Sequence, residues 1–242
     1  MAREPVAMTA SRSREPVRLL VFSASLRAGS LNTQLGKLAF ATIEANGGEV
    51  DHGAMHEFEC PSYNGDVQNR QGFPAAAEEL RRRLEASDAF VISSPEYNAS
   101  LPGLLKNAID WVSRFQPQPF NHRDGLLLSA SPSMAGGNRG AWALRIPFEH
   151  LGARIYPDMF SLARAHHAFD EDGRIADAQL QARFEMTIAD FMDIVEASKH
   201  YPRVKRAWVE YLGEHPEPAI DRVESVIGSE GSTEQTPREV LR

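Results

Sequence analysis

The chain is short of cysteine, of positive charge and of long apolar runs, and each shortage removes a class of function. Its one cysteine, Cys60, can form no internal disulfide, no zinc knot and no thiolate-held iron–sulfur cluster. A reducing compartment is expected, and the cytoplasm in particular. A formal net charge of -7 provides no basic face for nucleic acid, whose binding depends on cations that displace the phosphate counterions. No apolar stretch approaches the roughly 18 residues that span a bilayer, and the first residues lack the apolar core of a secretory signal. Neither nucleic acid nor membrane is an expected partner.

What is present fits a globular domain with tails. Apolar residues make up 42% and charged residues 24% of 242, enough to bury one sizeable core. Residues 1–16 read as a flexible leader: Arg3, Arg12 and Arg14 suit a transit peptide, but Glu4, Glu15 and the missing apolar face do not. The domain is expected over 17–198. Residues 199–242 form an extension, helical near 204–212, where Val204, Trp208, Tyr211 and Leu212 recur at helical spacing, and mobile after 228. That helix packs either on its own domain or on a neighbouring subunit.

Apolar runs and helical periods alternate along the domain. Val17, Leu19, Leu20, Val21 and Phe22 make a buried strand, and Leu35, Leu38, Ala39 and Ile43 a helix that Asn32 and Thr33 would cap. A weak strand is expected at 49–54, a loop at 55–73, and a helix after Pro74 with Ala77, Leu80 and Leu84 inward and Arg81, Arg82 and Arg83 as a solvated stripe. Residues 89–94 are a covered parallel strand, 102–114 a helix, 125–130 a strand, 141–151 a helix, 153–156 a short last strand and 178–197 a long amphipathic helix. Such alternation predicts a mostly parallel sheet whose ligand lies beyond the carboxyl ends of the strands. Loops near residues 25, 97 and 136 should meet there.

The first loop, Ser23 to Thr33, supplies short donors in Ser25, Arg27, Ser30, Asn32 and Thr33 just before a helix. An anion gains there from unpaired N–H groups, the helix dipole and a guanidinium. The same residues would also serve a plainly capped helix. The loop lacks the Gly-Lys-Ser of nucleoside triphosphate sites and the three glycines of a dinucleotide fingerprint. The second loop sets Pro95, Glu96, Tyr97 and Asn98 after a buried strand, a turn able to wrap a flat ring or simply a rigid corner. The third, with Ser131, Gly136 and Gly137, lets backbone approach a ligand closely. One loop for phosphate and two for a planar heterocycle is the division a mononucleotide requires.

The segment Ser25-Leu-Arg-Ala-Gly-Ser-Leu-Asn32, followed by Pro95-Glu-Tyr-Asn-Ala-Ser-Leu-Pro-Gly-Leu-Leu-Lys-Asn-Ala-Ile-Asp-Trp111, resembles the NAD(P)H-dependent FMN reductase family over residues 17–198. The resemblance implies a flavodoxin-like, doubly wound α/β fold with a five-stranded parallel sheet of order 2-1-3-4-5 and helices on both faces. It implies bound FMN, NADPH or NADH as co-substrate, a homodimer or homotetramer, and a small acceptor: flavin, quinone, azo compound or metal oxyanion. By motif, Ser25, Arg27, Ser30, Asn32 and Thr33 would hold the FMN phosphate; Pro95, Glu96, Tyr97 and Asn98 would line the ring; Ser131, Gly136 and Gly137 would complete its pocket. Hydride transfer at flavin N5 needs no catalytic side chain and no metal, so Glu96, His166 and His167 are expected to be structural or solvated. The alternatives are an electron carrier or redox sensor that binds FMN without enzymatic turnover, and an interaction protein that has lost the cofactor. Two departures from the family pattern stand out, Ala24 and Ala99, where glycine is usual. If position 99 requires a positive φ, alanine there is strained.

Overall fold

The computed structural model describes residues 16–212, with side chains described as far as residue 199. The described residues form six parallel strands, β1 (Arg18–Ser23), β2 (Glu49–Ala54), β3 (Ala89–Ser93), β4 (Asp124–Ala130), β5 (Arg154–Ile155) and β6 (Phe160–Leu162). Of these, β3 and β4 are buried throughout and β1 all but its first residue. The order is β2-β1-β3-β4-β5, with β6 also paired to β4. This is the flavodoxin-like order expected from the resemblance, with the fifth position divided. Residues 124–125 of β4 pair with β5 and residues 128–130 with β6. Pro157, in the gap between them, brings no backbone donor to a ladder.

The described residues also form six helices, α1 (Leu31–Ala45), α2 (Gly65–Gln71), α3 (Ala75–Glu85), α4 (Gly103–Val112), α5 (Asn138–His150) and α6 (Ala178–Leu212), all but α2 packed against the sheet. Because strand side chains alternate, β1 feeds two separate cores. Leu20 and Phe22 pack with Leu80 and Leu84 of α3, Ile109 of α4 and Phe148 of α5. Leu19 and Val21 pack with Leu35 and Ile43 of α1 and with Phe184, Ile188 and Phe191 of α6. Chain direction therefore splits at β1 and β3, neighbours whose following helices lie on opposite faces, and a crevice opens at their carboxyl ends.

Four expectations are corrected. The cap of α1 is Ser30, whose Oγ accepts the Asn32 N–H at 3.2 Å, so Asn32 and Thr33 lie inside the helix. Residues 55–73 hold a 3-10 turn (Met55–Phe58) and the short α2, which buries no side chain and so has no apolar period to read. Arg83 is not solvated. Only 7% exposed, it makes a bidentate pair with Asp51 (2.5 and 2.9 Å), meets Glu57 at 2.9 Å and donates to the His52 carbonyl at 3.0 Å. Finally, α6 runs unbroken past residue 197, where the helix was expected to end.

By its contacts the chain divides into Met1–Tyr201, which holds the sheet, and Pro202–Arg242, of which the last turns of α6 are described. The expected leader over residues 1–15, the packing of the 204–212 side chains and the tail beyond 212 lie outside the described residues. No described helix is long and apolar enough to cross a membrane.

Candidate functional site

The loops after β1, β3 and β4 meet at the carboxyl edge of the sheet, and a buried carboxamide fastens them. Asn32, 3% exposed, donates to the Ala130 carbonyl at 2.9 Å and accepts the Ala130 N–H at 2.9 Å and the Ser93 hydroxyl at 3.1 Å. Its side chain thus serves the neighbouring strand ends, while the motif had placed it on a phosphate. A second fastening joins the same strands: Ser129 donates to the Ser94 carbonyl at 2.7 Å, and the Ser94 N–H to the Leu128 carbonyl at 2.8 Å.

What the first loop leaves unpaired points outward. Among the described residues the Arg27 guanidinium has no partner, and the N–H groups of Leu31 and Thr33 bond to no protein acceptor. The first turn of α1 carries no acidic residue, so the positive end of its dipole is uncompensated. Ser25 is half-buried and its Oγ accepts the Arg27 N–H at 3.3 Å. Gly29 takes a φ of +66° that a side chain would resist. Unpaired N–H groups, a free guanidinium and no carboxylate form a donor set suited to a phosphate dianion.

The second loop is a two-residue hairpin. Tyr97 and Ser100 exchange backbone hydrogen bonds of 3.0 and 3.1 Å across Asn98 and Ala99. Both central residues are left-handed, at φ 53° and 60°, a type I′ turn that favours Asn followed by Gly. Ala99 therefore carries the strain anticipated from the sequence, worth about 1–2 kcal/mol. Ala24, the other departure, adopts no positive φ and donates to the Ser93 carbonyl at 2.9 Å. Ala99→Gly is expected to raise the unfolding midpoint by roughly 2–4 °C, the effect of about 1 kcal/mol at this size; a lower midpoint in calorimetry would contradict the strain.

Glu96 turns away from this turn toward α5. Its carboxylate meets the Arg139 guanidinium at 2.6 Å and accepts the Gly140 N–H at 3.1 Å. Burial works against its charge, but the Arg139 hydrogen bond and the Gly140 N–H outweigh it and hold the carboxyl below the usual range. Glu96 therefore holds the second loop on the first turn of α5, and its carboxylate is engaged there. Gly140 is required here, since a Cβ would stand 3.1 Å from the Glu96 Cα and 3.2 Å from the Ser100 carbonyl. Gly137, left-handed at φ +84°, has the Ser129 hydroxyl where its Cβ would be. A Cβ on Gly136 would meet the backbone of residues 161–163 at 2.9 Å. Ser131 is occupied within its own loop, where its Oγ lies 3.1 Å from the Ser133 hydroxyl and accepts the Ser133 N–H at 3.2 Å.

Pro95, Glu96, Tyr97, Asn98, Ser131, Gly136 and Gly137 thus come to one edge with Ser25, Arg27, Ser30, Asn32 and Thr33. Ser93, Ser129, Arg139 and Gly140, which position them, were missed. Only Gly140 carried a sequence signal, as a glycine just inside a helix start. His166 and His167 lie exposed on a 3-10 turn, their rings tilted at 48° with centroids 3.9 Å apart. Burial pushes the Cys60 thiol up to about 11, which leaves little nucleophilic thiolate. Among the described residues no group of three or more His, Cys, Asp or Glu could hold a metal ion.

Residues 17–167 match the family model described as NADPH-dependent FMN reductase. An NAD(P)H-dependent FMN reductase of Pseudomonas aeruginosa is 36% identical over 169 residues, which cover 67% of this chain and 86% of that protein. A quinone reductase of Escherichia coli K12 is 39% identical over 146 residues, 58% of this chain and 74% of that one. Among solved structures, a flavoenzyme NAD(P)H:(acceptor) oxidoreductase of Paracoccus denitrificans superposes with a TM-score of 0.65 at 27% identity, covering 75% of this chain and 98% of the other.

Proposed function

The chain belongs to the NADPH-dependent FMN reductase family, and from that premise we propose that its first loop holds the FMN phosphate while the second and third hold the ring. The protein is an oxidoreductase that passes hydride from NAD(P)H by way of FMN to a small quinone or flavin acceptor. The observation that carries the assignment of the loops is the unpaired donor set at the start of α1, with Arg27 beside it and no carboxylate of its own.

When bound, FMN supplies the two-electron chemistry. The chain's part is to bind and orient. Ser30 caps one N–H of α1 and leaves those of Leu31 and Thr33 for the phosphate. The N–H groups of Asn98 and Ala99 have no acceptor among the described residues and sit on a turn closed by Tyr97 and Ser100. Fixed donors of this kind favour negative charge on a nearby ring without reorganising. Glu96 neutralises Arg139 and keeps the second loop on α5.

Azo compounds and metal oxyanions extend the same acceptor class, and cytoplasmic location fits the single cysteine. Assembly as a homodimer or homotetramer is supported by Trp142 and Ile146, one turn apart on α5 and 56% and 73% exposed.

Anaerobic titration with NADPH tests the reading. The purified protein should show a flavin absorbance band that NADPH bleaches rapidly, and absence of bleaching would reduce the protein to an electron carrier. Arg27→Ala should weaken FMN binding by about tenfold or more, the value of a charge-assisted hydrogen bond. Bleaching in FMN-saturated Arg27→Ala should stay within about twofold of wild type. The opposite pattern would contradict the division between phosphate and ring loops.

A further inference from the structure

Three arginines stand at the carboxyl edge of the sheet, and their partners differ. Arg139 is neutralised by Glu96. Arg27 serves the phosphate loop. Arg164, just past β6, is exposed, and no carboxylate among the described residues pairs with it. Among the described residues its side chain makes one hydrogen bond, to a thioether, with Nε donating to Met134 Sδ at 3.0 Å.

The backbone holds Arg164 at φ 48° and ψ 36°, left-handed geometry that glycine would take without cost. An arginine kept in such a place points to a use for its side chain. The segment is fixed to the third loop: the Arg164 N–H donates to the Ser133 carbonyl at 3.1 Å and the Ala165 N–H to that of Ser131 at 3.0 Å. Along the edge, β6 lies three strand steps from β1, through β3 and β4, or about 14 Å at the usual strand spacing. Arg164 therefore stands on the flank opposite the phosphate loop, beyond the two ring loops. A mononucleotide has one phosphate, and Arg27 already serves it.

Resting on the flavin assignment above, we propose that Arg164 recognises the adenosine 2′-phosphate of the co-substrate and so sets a preference for NADPH over NADH. A guanidinium meets a terminal phosphate with two parallel hydrogen bonds, and an arginine near the adenosine ribose is how a protein accommodates a 2′-phosphate. Met134, 70% exposed beside it, offers a polarizable surface to the adenine. His166 and His167 follow on the same turn, both exposed.

The test is Arg164→Gly, which removes the cation and relieves the left-handed strain, so a folding defect is not expected. Calorimetric titration of the full chain with adenosine 2′,5′-bisphosphate should show affinity about tenfold or more weaker than wild type, with binding of adenosine 5′-monophosphate little altered. In turnover, the NADPH-to-NADH ratio of kcat/KM should fall by about tenfold. Unchanged bisphosphate affinity, no bisphosphate binding by wild type, or an equal loss with both nucleotides would overturn the assignment. A wild-type protein without flavin absorbance would sink the reductase reading instead, and the bisphosphate titration would still decide Arg164.

Discussion

Asn32→Ala is expected to lower the unfolding midpoint by roughly 6–12 °C and to weaken FMN binding by about tenfold or more. The side chain it removes is buried and joins the start of α1 to the ends of two strands, β3 and β4. Its loss leaves the N–H and C=O of Ala130 and the Ser93 hydroxyl unpaired in dry surroundings. Each such group costs about 1–3 kcal/mol, so a total near 3 kcal/mol is a conservative sum, and each kcal/mol lowers the midpoint by about 2–4 °C at this size. Affinity falls because the first and third loops then move independently and the donors lose their common frame. Asn32→Asp should not rescue, since a carboxylate oxygen would face the Ala130 carbonyl, which the amide now meets at 2.9 Å. Calorimetry and a flavin fluorescence titration supply both readings, and a midpoint within about 2 °C of wild type would remove Asn32 from this role.

Arg83→Met should cost about 3 kcal/mol and change the response to acid. Removing one partner of a buried ion pair strands the other; here Asp51 would lose its bidentate partner and Glu57 its nearest cation. Methionine keeps an apolar stem against the Phe58 ring, over which the guanidinium lies at 5.5 Å, so the deficit reports the charge and its hydrogen bonds. The Arg83 hydrogen bond is the main cause that holds the Asp51 carboxyl below its ordinary value; burial opposes it, and the charges of Arg83, Arg18 and Arg82 assist. A carboxyl depressed in the folded state adds stability above its unfolded pKa, near 4, and that contribution drains away as pH falls toward the folded value. Urea unfolding should therefore show wild-type stability falling more steeply than that of Arg83→Met below about pH 4. Parallel curves would show that Asp51 does not carry the linkage.

The sheet was legible where both faces are buried. β1, β3 and β4 are short apolar runs, and the resemblance supplied their order. Less was visible at the margins. β2 buries few residues and reads weakly, α2 buries none, and β6 is three residues beyond a proline. Arg83 was legible but misread: three consecutive arginines look like a solvated stripe, yet Leu80, Arg83 and Leu84 share the inner face at i, i+3 and i+4.

The candidate site divides along the same line. Its loops could be found because local signals such as small residues, a cap and a turn mark them. The bonds that position them could not, since Asn32 and Ala130 are 98 residues apart and Glu96 and Arg139 are 43 apart. Periodicity carries no information at that range.

The spacing of these pairings also orders the assembly of the molecule. β1 meets β2 at a separation of 31 residues, from Arg18 to Glu49, but meets β3 at 70, from Leu19 to Ala89. Closing the longer loop costs more chain entropy. The segment from β1 to β2 can therefore form with its phosphate loop in place while the partners of Asn32 are still unstructured chain. On a ribosome, β4 is the last strand to emerge that the carboxamide needs, so the complete edge appears only when most of the domain has been made. A ligand that requires all three loops draws on that final state alone, and its binding energy stabilises the whole sheet and none of its fragments.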